Sequence, residues 1–457
     1  MLASEPGYRA IVSDLHVGEA GPLEDFLFEA DFCRFLAHLA SQAGPTGRPA
    51  ELIINGDFFD FLQIAPLRAG PIQDAADKLV RARKGHQHLF TELAAFVRDG
   101  HRLVVIPGNH DIELSEGAIQ SALRQELFTN DAASQARIIF PDEQLPEHFS
   151  GRSRGSFVYR LPGVYIEHGN QFDPFNRFDY SRFYVDEELT QVRLPSGSHF
   201  VYRVFNEAES RFGYLDKLRP RRAAFLLFCL LDIRLALNRI GALLGLGAEM
   251  VSSELQLLYE LSKTQTEVGT GARGSSSTAE QELAWLGQYA EALSILQHEQ
   301  ASMLPGDADL GARGRLSPLF AQAATQILHA VLDLLTSRAD RSDQRDDYAQ
   351  AAEALLQSEN ADIVLFGHTH GLREIAYGSK RYFNTGTWVG LVDWDLAELR
   401  NARPEAMLDF LNLFLKQPTL RISPSLSFVE LTYRNSRPHG SLWLFHNGVA
   451  QLARGPG

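Results

Sequence analysis

The stretch RLVVIPGNHD, residues 102–111, opens as a strand and stops abruptly. Leu103 to Ile106 are apolar and mostly β-branched, as extended backbone favours. Pro107 and Gly108 then punctuate the chain, and Asn109, His110 and Asp111 follow at once. The same form recurs in AIVSDLH (10–16) and ELIINGD (51–57). Between these runs lie amphipathic stretches with helical spacing, Asp25 to Ser41 and Asp74 to Arg98. Strands alternating with helices predict an α/β sheet with mostly parallel pairing. In such sheets the carboxyl ends of the strands form the binding crevice. All three polar motifs fall at those ends, so they are able to converge. GVYIEHG (163–169) and ADIVLFGHTH (361–370) carry the same pattern, and KRYFNTGTW (380–388), SLSFVELTY (425–433) and SLWLFHNG (441–448) add later strands.

Charge and cysteine content narrow the classes. A formal net charge of −14 over 457 residues disfavours a general nucleic-acid binder, which needs a basic surface. A phosphorylated substrate stays compatible, because bound cations supply local positive charge. Cys33 and Cys229 are the only cysteines, too few for a disulfide framework or a thiolate zinc site. The first residues, MLASEPGYRA, lack the basic-then-apolar pattern of a signal sequence, so a cytoplasmic location is expected.

Residues 179–358 change character, being rich in Ala, Leu, Gln, Glu and Arg with helical spacing. Small-residue breaks near 268–278 and 305–318 read as linkers. A mostly α insertion inside an α/β domain is expected. Within it, residues 223–248 are strongly apolar, but Asp232, Arg234 and Arg239 interrupt them, so no clean membrane span results. That segment reads as a core helix of a bundle. Its second reading is an interfacial helix, because the basic run KLRPRR (217–222) precedes it and suits anionic headgroups. Peripheral contact with the inner face of a membrane through residues 217–248 follows from that second reading.

Five motifs occur in order: Asp14-Leu15-His16, Gly56-Asp57-Phe58-Phe59-Asp60, Gly108-Asn109-His110-Asp111, His168-Gly169 and Gly367-His368-Thr369-His370. Singly each has an ordinary explanation; Gly-Asp is usually a turn, and Asn-His-Asp is able to cap the next helix. Together, each follows a β-rich run and offers oxygen or imidazole without sulfur. That donor mixture suits Mn, Fe, Zn or Co. Glycines beside Asp57, Asn109, His168 and His368 allow tight turns that crowd the donors together. His38, His86, His88 and His101 lack such a context and are expected on solvated faces.

This ordered set, over residues 9–170 and 361–388, resembles the calcineurin-like metallophosphoesterases. The resemblance implies a four-layer α/β/β/α sandwich, here with the large α insertion. The core would comprise 1–178 and 359–457, with 179–358 as a helical cap. It implies two divalent ions, Mn foremost. Asp14, His16, Asp57 and His370 would hold one, and Asp57, Asn109, His168 and His368 the other, with Asp57 bridging. His110, paired with Asp60, would contact the phosphate or protonate the leaving oxygen. A hydroxide bridging the metals would attack the phosphorus. Phe61 stands where the family's protein phosphatases carry Arg, which counts against a protein substrate. NGDFFDF with HGNQFD is similar to the branch of UDP-2,3-diacylglucosamine pyrophosphatase, which also inserts helices in this interval. That branch usually has Arg at the His110 position, and its insertion is smaller. A phosphoester or pyrophosphate with a lipid or nucleotide portion is therefore the expected substrate. Asn170, Asp173 and Arg177 are candidate substrate contacts. The alternative is a non-catalytic metal-binding scaffold for protein partners. Scaffolds of this family commonly lose a ligand or the catalytic His, and this sequence retains them all.

Overall fold

The computed structural model describes residues 6–141, 157–211, 346–392 and 422–453, with residues 217, 289, 291–295, 322–323, 326–327 and 329–330. The chain divides into two units. One comprises Met1–Tyr202, Arg341–Gly390 and Pro424–Gly457; the other comprises Arg203–Asp340 and Leu391–Ser423.

In the first unit, β1 (Tyr8–Val12), β2 (Ala50–Asn55), β3 (Arg102–Ile106) and β4 (Ile138–Ile139) pair in parallel. Every residue of β2 is buried, as expected for a parallel strand covered on both faces. The register sets Val12 beside Ile54 and Asn55 beside Ile106, so the three strands end together. A second sheet contains β5 (Val158–Leu161), β6 (Val164–Glu167), β7 (Ile363–Phe366), β8 (Leu372–Tyr377) and β9 (Lys380–Thr385), in the order β5-β6-β7-β9-β8. Its inner strands β6, β7 and β9 are parallel, and its edge strands antiparallel. Gly390–Val392 (β10) and Ile422–Pro424 (β11) form a separate ribbon. The chain then adds β12 (Ser427–Arg434), β13 (Arg437–His446) and β14 (Val449–Leu452) antiparallel to the first sheet, whose order is β14-β13-β12-β1-β2-β3-β4.

The two sheets face each other, with β12 and β13 against β9 and β7. Gly440 makes part of this approach possible: a Cβ there would stand 2.5 Å from the Phe383 ring. On the outside of the first sheet lie α1 (Glu29–Ala43), α2 (Asp74–Gly85), α3 (Gln87–Arg98) and α4 (Gly117–Leu127). Phe32, Phe35, Leu36 and Leu39 give α1 a buried stripe at helical spacing. Phe32 and Phe35 pack on Trp388, and burying each such ring contributes roughly 1.5–3 kcal/mol. The helix Asp346–Ser358 covers the second sheet, with Tyr348, Ala352 and Leu356 against Val364, Phe366 and Tyr382. The layers are thus α/β/β/α.

Three features differ from the sequence reading. Asp74 to Arg98 is two helices, broken at His86, whose φ of −121° and ψ of 49° are not helical. His86 is also not on a solvated face. It is buried, and its ring nitrogens lie 2.9 Å from Glu24 Oε2 and Glu29 Oε2. The carboxylates offset the cost of burying an imidazole and raise its pKa despite desolvation. The helix Asp346–Ser358, which sequence groups with the insertion, lies on β7 and β9 because its apolar positions recur at four-residue spacing. Both linker breaks and the apolar stretch 223–248 lie outside the described residues. No helix among the described residues is long and apolar enough to cross a membrane. In the second unit, Lys217, the first residue of the basic run, is buried, with Nζ 3.9 Å from Glu209 Oε1.

Candidate metal centre

The polar loops after β1, β2 and β3 are laced together by backbone hydrogen bonds. Asp14 N–H donates to the Gly56 carbonyl at 3.1 Å, His16 N–H to Asp57 at 3.0 Å, and Asp60 N–H to Val17 at 3.1 Å. Asp111 completes the lacing rather than capping a helix. Its carboxylate accepts the N–H groups of Phe58 (2.8 Å), Phe59 (3.1 Å) and Gly108 (2.7 Å). Burial and the neighbouring Asp57 carboxylate push the Asp111 carboxyl up to about 7. From the second sheet, Gly367 N–H donates to the His168 carbonyl (2.8 Å) and His368 N–H to Asp14 Oδ2 (3.0 Å). Thr387 Oγ1 donates to the Asp14 carbonyl at 2.8 Å. Both sheets therefore deliver their loops to one place.

The backbone is contorted at this place. Asp14, His16, Asp57, His368 and His370 have φ of 55°, 50°, 50°, 67° and 60°. Left-handed backbone costs an L-residue about 1–2 kcal/mol, and such conformations cluster at functional sites. The flanking glycines are needed for proximity as well as for turns. Gly56 has φ 84°, and a Cβ there would stand 2.1 Å from His168 Nδ1. Gly56→Ala is expected to cost about 1–3 kcal/mol by overpacking and to reduce bound metal. A urea midpoint and a metal content both equal to wild type would contradict this.

Asp14, His16 and His370 form one group whose candidate ligand atoms lie within 4.8 Å of one another, and Asp57, His168 and His368 form a second. His16 Nε2 lies 3.1 Å from His370 Nε2, which in turn lies 3.3 Å from Asp14 Oδ1. Two imidazole nitrogens face each other at that separation favourably only with a proton or a cation to share. Asp57 Oδ2 lies 3.1 Å from His168 Nε2 and 3.7 Å from His16 Nε2, between the groups. His168 Nδ1–H donates to the Asn55 carbonyl at 2.9 Å, which turns Nε2 toward Asp57. Asn109 Oδ1 is buried without a hydrogen-bond partner, an acceptor oxygen that a cation would satisfy. The donors are all O and N, and they fit divalent metals.

Electrostatics agree with the packing. Burial would raise the Asp57 carboxyl, but the imidazoles of His168, His110 and His16 hold it well below the usual carboxylate range. Asp14 is held at about 2, where burial is outweighed by His370 and His168. Burial alone would lower His168, yet the Asp57 and Asp14 carboxylates raise it to about 10. These shifts share one cause in charge: the carboxylates demand positive partners, whether protons or cations.

A third group combines His16, Asp60 and His110. Asp60 Oδ2 lies 2.9 Å from Nδ1 of His16 and 2.9 Å from Nδ1 of His110. One carboxylate oxygen thus orients two rings, and only the pairing with His110 was expected from sequence. Burial raises the Asp60 carboxyl, but the two imidazoles lower it far more. His110 is less buried than His16 or Asp60, its side chain 15% exposed. The Asp60 loop is also held from below, where buried Lys78 donates to the Phe61 carbonyl and to Tyr202 Oη (3.2 Å). Nothing in the sequence marked Lys78, which reads as one charge on an amphipathic helix.

Residues 9–211 match the calcineurin-like phosphoesterase family. The α/β/β/α sandwich is that of a calcineurin-like metallophosphoesterase domain, a family that hydrolyses phosphoesters with divalent metals. A search of the curated proteins finds no match. The matched residues include Asp14, His16, Asp57, Asp60, Asn109, His110 and His168. His368 and His370 lie beyond the match, and β7 carries them to the same centre. The phenylalanines of NGDFFDF are core: Phe58, Phe59 and Phe61 are fully buried. Asn170 is buried and donates to the Asn176 carbonyl at 3.0 Å, whereas Arg177 is exposed.

Proposed function

We propose that the protein is a dimetal phosphohydrolase that cleaves a phosphoester or pyrophosphate bond. The observation that carries this reading is the position of Asp57 Oδ2 between the two His/Asp groups. Asp14, His16, Asp57 and His370 would hold one cation, and Asp57, Asn109, His168 and His368 the other. Mn is the first choice, with Fe, Zn and Co also suited to the donors. When bound, a metal pair lowers the pKa of water and offsets charge on the phosphoryl oxygens. The protein's own groups do the rest. Asp60 accepts the Nδ1 proton of His110, which sets the ring's tautomer and stabilises its protonated form. His110 then donates from Nε2 to the departing oxygen, as imidazole titrates near working pH.

The substrate is a phosphoester or pyrophosphate with a lipid or nucleotide portion. Phe61 in place of a phosphate-binding Arg argues against phosphoproteins. The interval between His168 and His368 in sequence, apart from the helix Asp346–Ser358 that covers the second sheet, sets substrate choice. A screen of Mn-loaded protein against phosphomonoesters, phosphodiesters, nucleotides and UDP-linked lipids tests this reading. Turnover of one class, lost with a chelator and restored by Mn, is expected. Two bound ions with no turnover of any class would instead favour a scaffold.

A further inference from the structure

The loop HGNQFDPFNRF (168–178) follows the ligand His168, and its shape is set by one carboxylate. Asp173 Oδ1 accepts the Phe175 N–H at 2.9 Å, and Oδ2 accepts from Asn176 Nδ2 at 2.8 Å. The Asp173 N–H donates to the Asn170 carbonyl at 3.1 Å, and the Arg177 N–H to the Asp173 carbonyl at 2.9 Å. Asn170 closes the knot through its bond to Asn176. So tied, Asp173 holds its Oδ2 3.1 Å from Nε2 of His368. Asp173 is not one of the close group Asp57, His168 and His368. It therefore approaches His368 from outside that group.

We infer that Asp173 is a positioning residue for His368, not a substrate contact: it accepts the Nε2 proton and so leaves Nδ1 to face the cation. This inference rests on the dimetal reading above. An imidazole bound to a metal through one nitrogen commonly donates its other N–H to a carboxylate, which fixes the ring and raises its basicity. Three of the centre's imidazoles then have a fixed Nδ1 or Nε2 acceptor each: His168 the Asn55 carbonyl, His16 Asp60, and His368 Asp173. The arrangement also accounts for the sequence spacing. A ligand at 168 and its neighbour's acceptor at 173 are joined by one short turn, Asn170–Phe172, so the loop that ends β6 serves both sheet strands β6 and β7.

The test is Mn²⁺ titration of chelator-treated full-length protein by calorimetry, comparing wild type with Asp173→Ala, Asp173→Asn and Asn176→Ala. Asp173→Ala is expected to weaken one of two Mn²⁺ sites about 10–100-fold and leave the other unchanged. Asp173→Asn, whose amide oxygen still accepts from Nε2–H, should fall between. Asn176→Ala, which loosens the loop but keeps the carboxylate, should stay within about threefold of wild type at both sites. Thermal melts of each variant establish that the fold is retained. Two unchanged sites in Asp173→Ala would overturn the inference. So would equal weakening of both sites, or an effect of Asn176→Ala as large as that of Asp173→Ala, since each marks a purely structural loop. Wild type that binds no pair of ions would overturn the dimetal reading itself, and this inference with it.

Discussion

Asp57→Ala is expected to release both cations and to take hydrolysis to the background rate. Asp57 Oδ2 reaches toward both groups, 3.1 Å from His168 Nε2 and 3.7 Å from His16 Nε2. Its other oxygen accepts the His110 N–H at 2.8 Å, so the carboxylate also ties the loop after β3 to the centre. Removing it leaves Asp14 as the one carboxylate among the proposed ligands, with the imidazoles of His16, His168, His368 and His370, to offset two dications. Elemental analysis should read near zero where wild type reads two ions per chain. Asp57→Asn keeps the shape and removes the charge, and it should lose metal nearly as completely. A variant that keeps its metal content would show that Asp57 does not bridge.

His110→Ala is expected to keep both ions and to lower kcat by about 10²–10⁴-fold, the range for a lost acid–base group. The side chain of His110 is hydrogen-bonded to Asp60 at 2.9 Å and belongs to neither Asp57-containing nor Asp14-containing group. The loss should shrink for a substrate whose leaving oxygen needs no proton, such as a nitrophenolate. An equal loss on both substrates would place His110 in binding rather than in proton transfer. Wild-type turnover would remove it from the reaction altogether.

Much of this centre was legible in the sequence because strand ends are legible. Asp14, Asp57, Asn109, His168 and His368 each follow an apolar run and a break, and parallel strands that end in register must bring such residues together. What was not legible was the set of groups that act through their side chains from a distance. Asp111 looks like a cap in GNHD, yet its carboxylate takes N–H groups from a loop more than fifty residues earlier. Lys78 and His86 look like solvent-facing charges on a helix, but the break after Gly85 turns His86 inward to Glu24 and Glu29. The left-handed backbone at Asp14, His16, Asp57, His368 and His370 was equally hidden, since residue types that tolerate it are also ordinary in turns. Asp173 was visible as a polar residue near the site, but only its 3.1 Å approach to His368 separates an orienting role from a substrate contact.

The central claim is that two cations share Asp57. Anomalous diffraction at the manganese edge from Mn-soaked crystals tests it most directly. The account predicts two peaks about 3.5–4 Å apart on either side of the Asp57 carboxylate, one toward Asp14, His16 and His370 and one toward Asn109, His168 and His368. A single peak, or one among His16, Asp60 and His110, would contradict it.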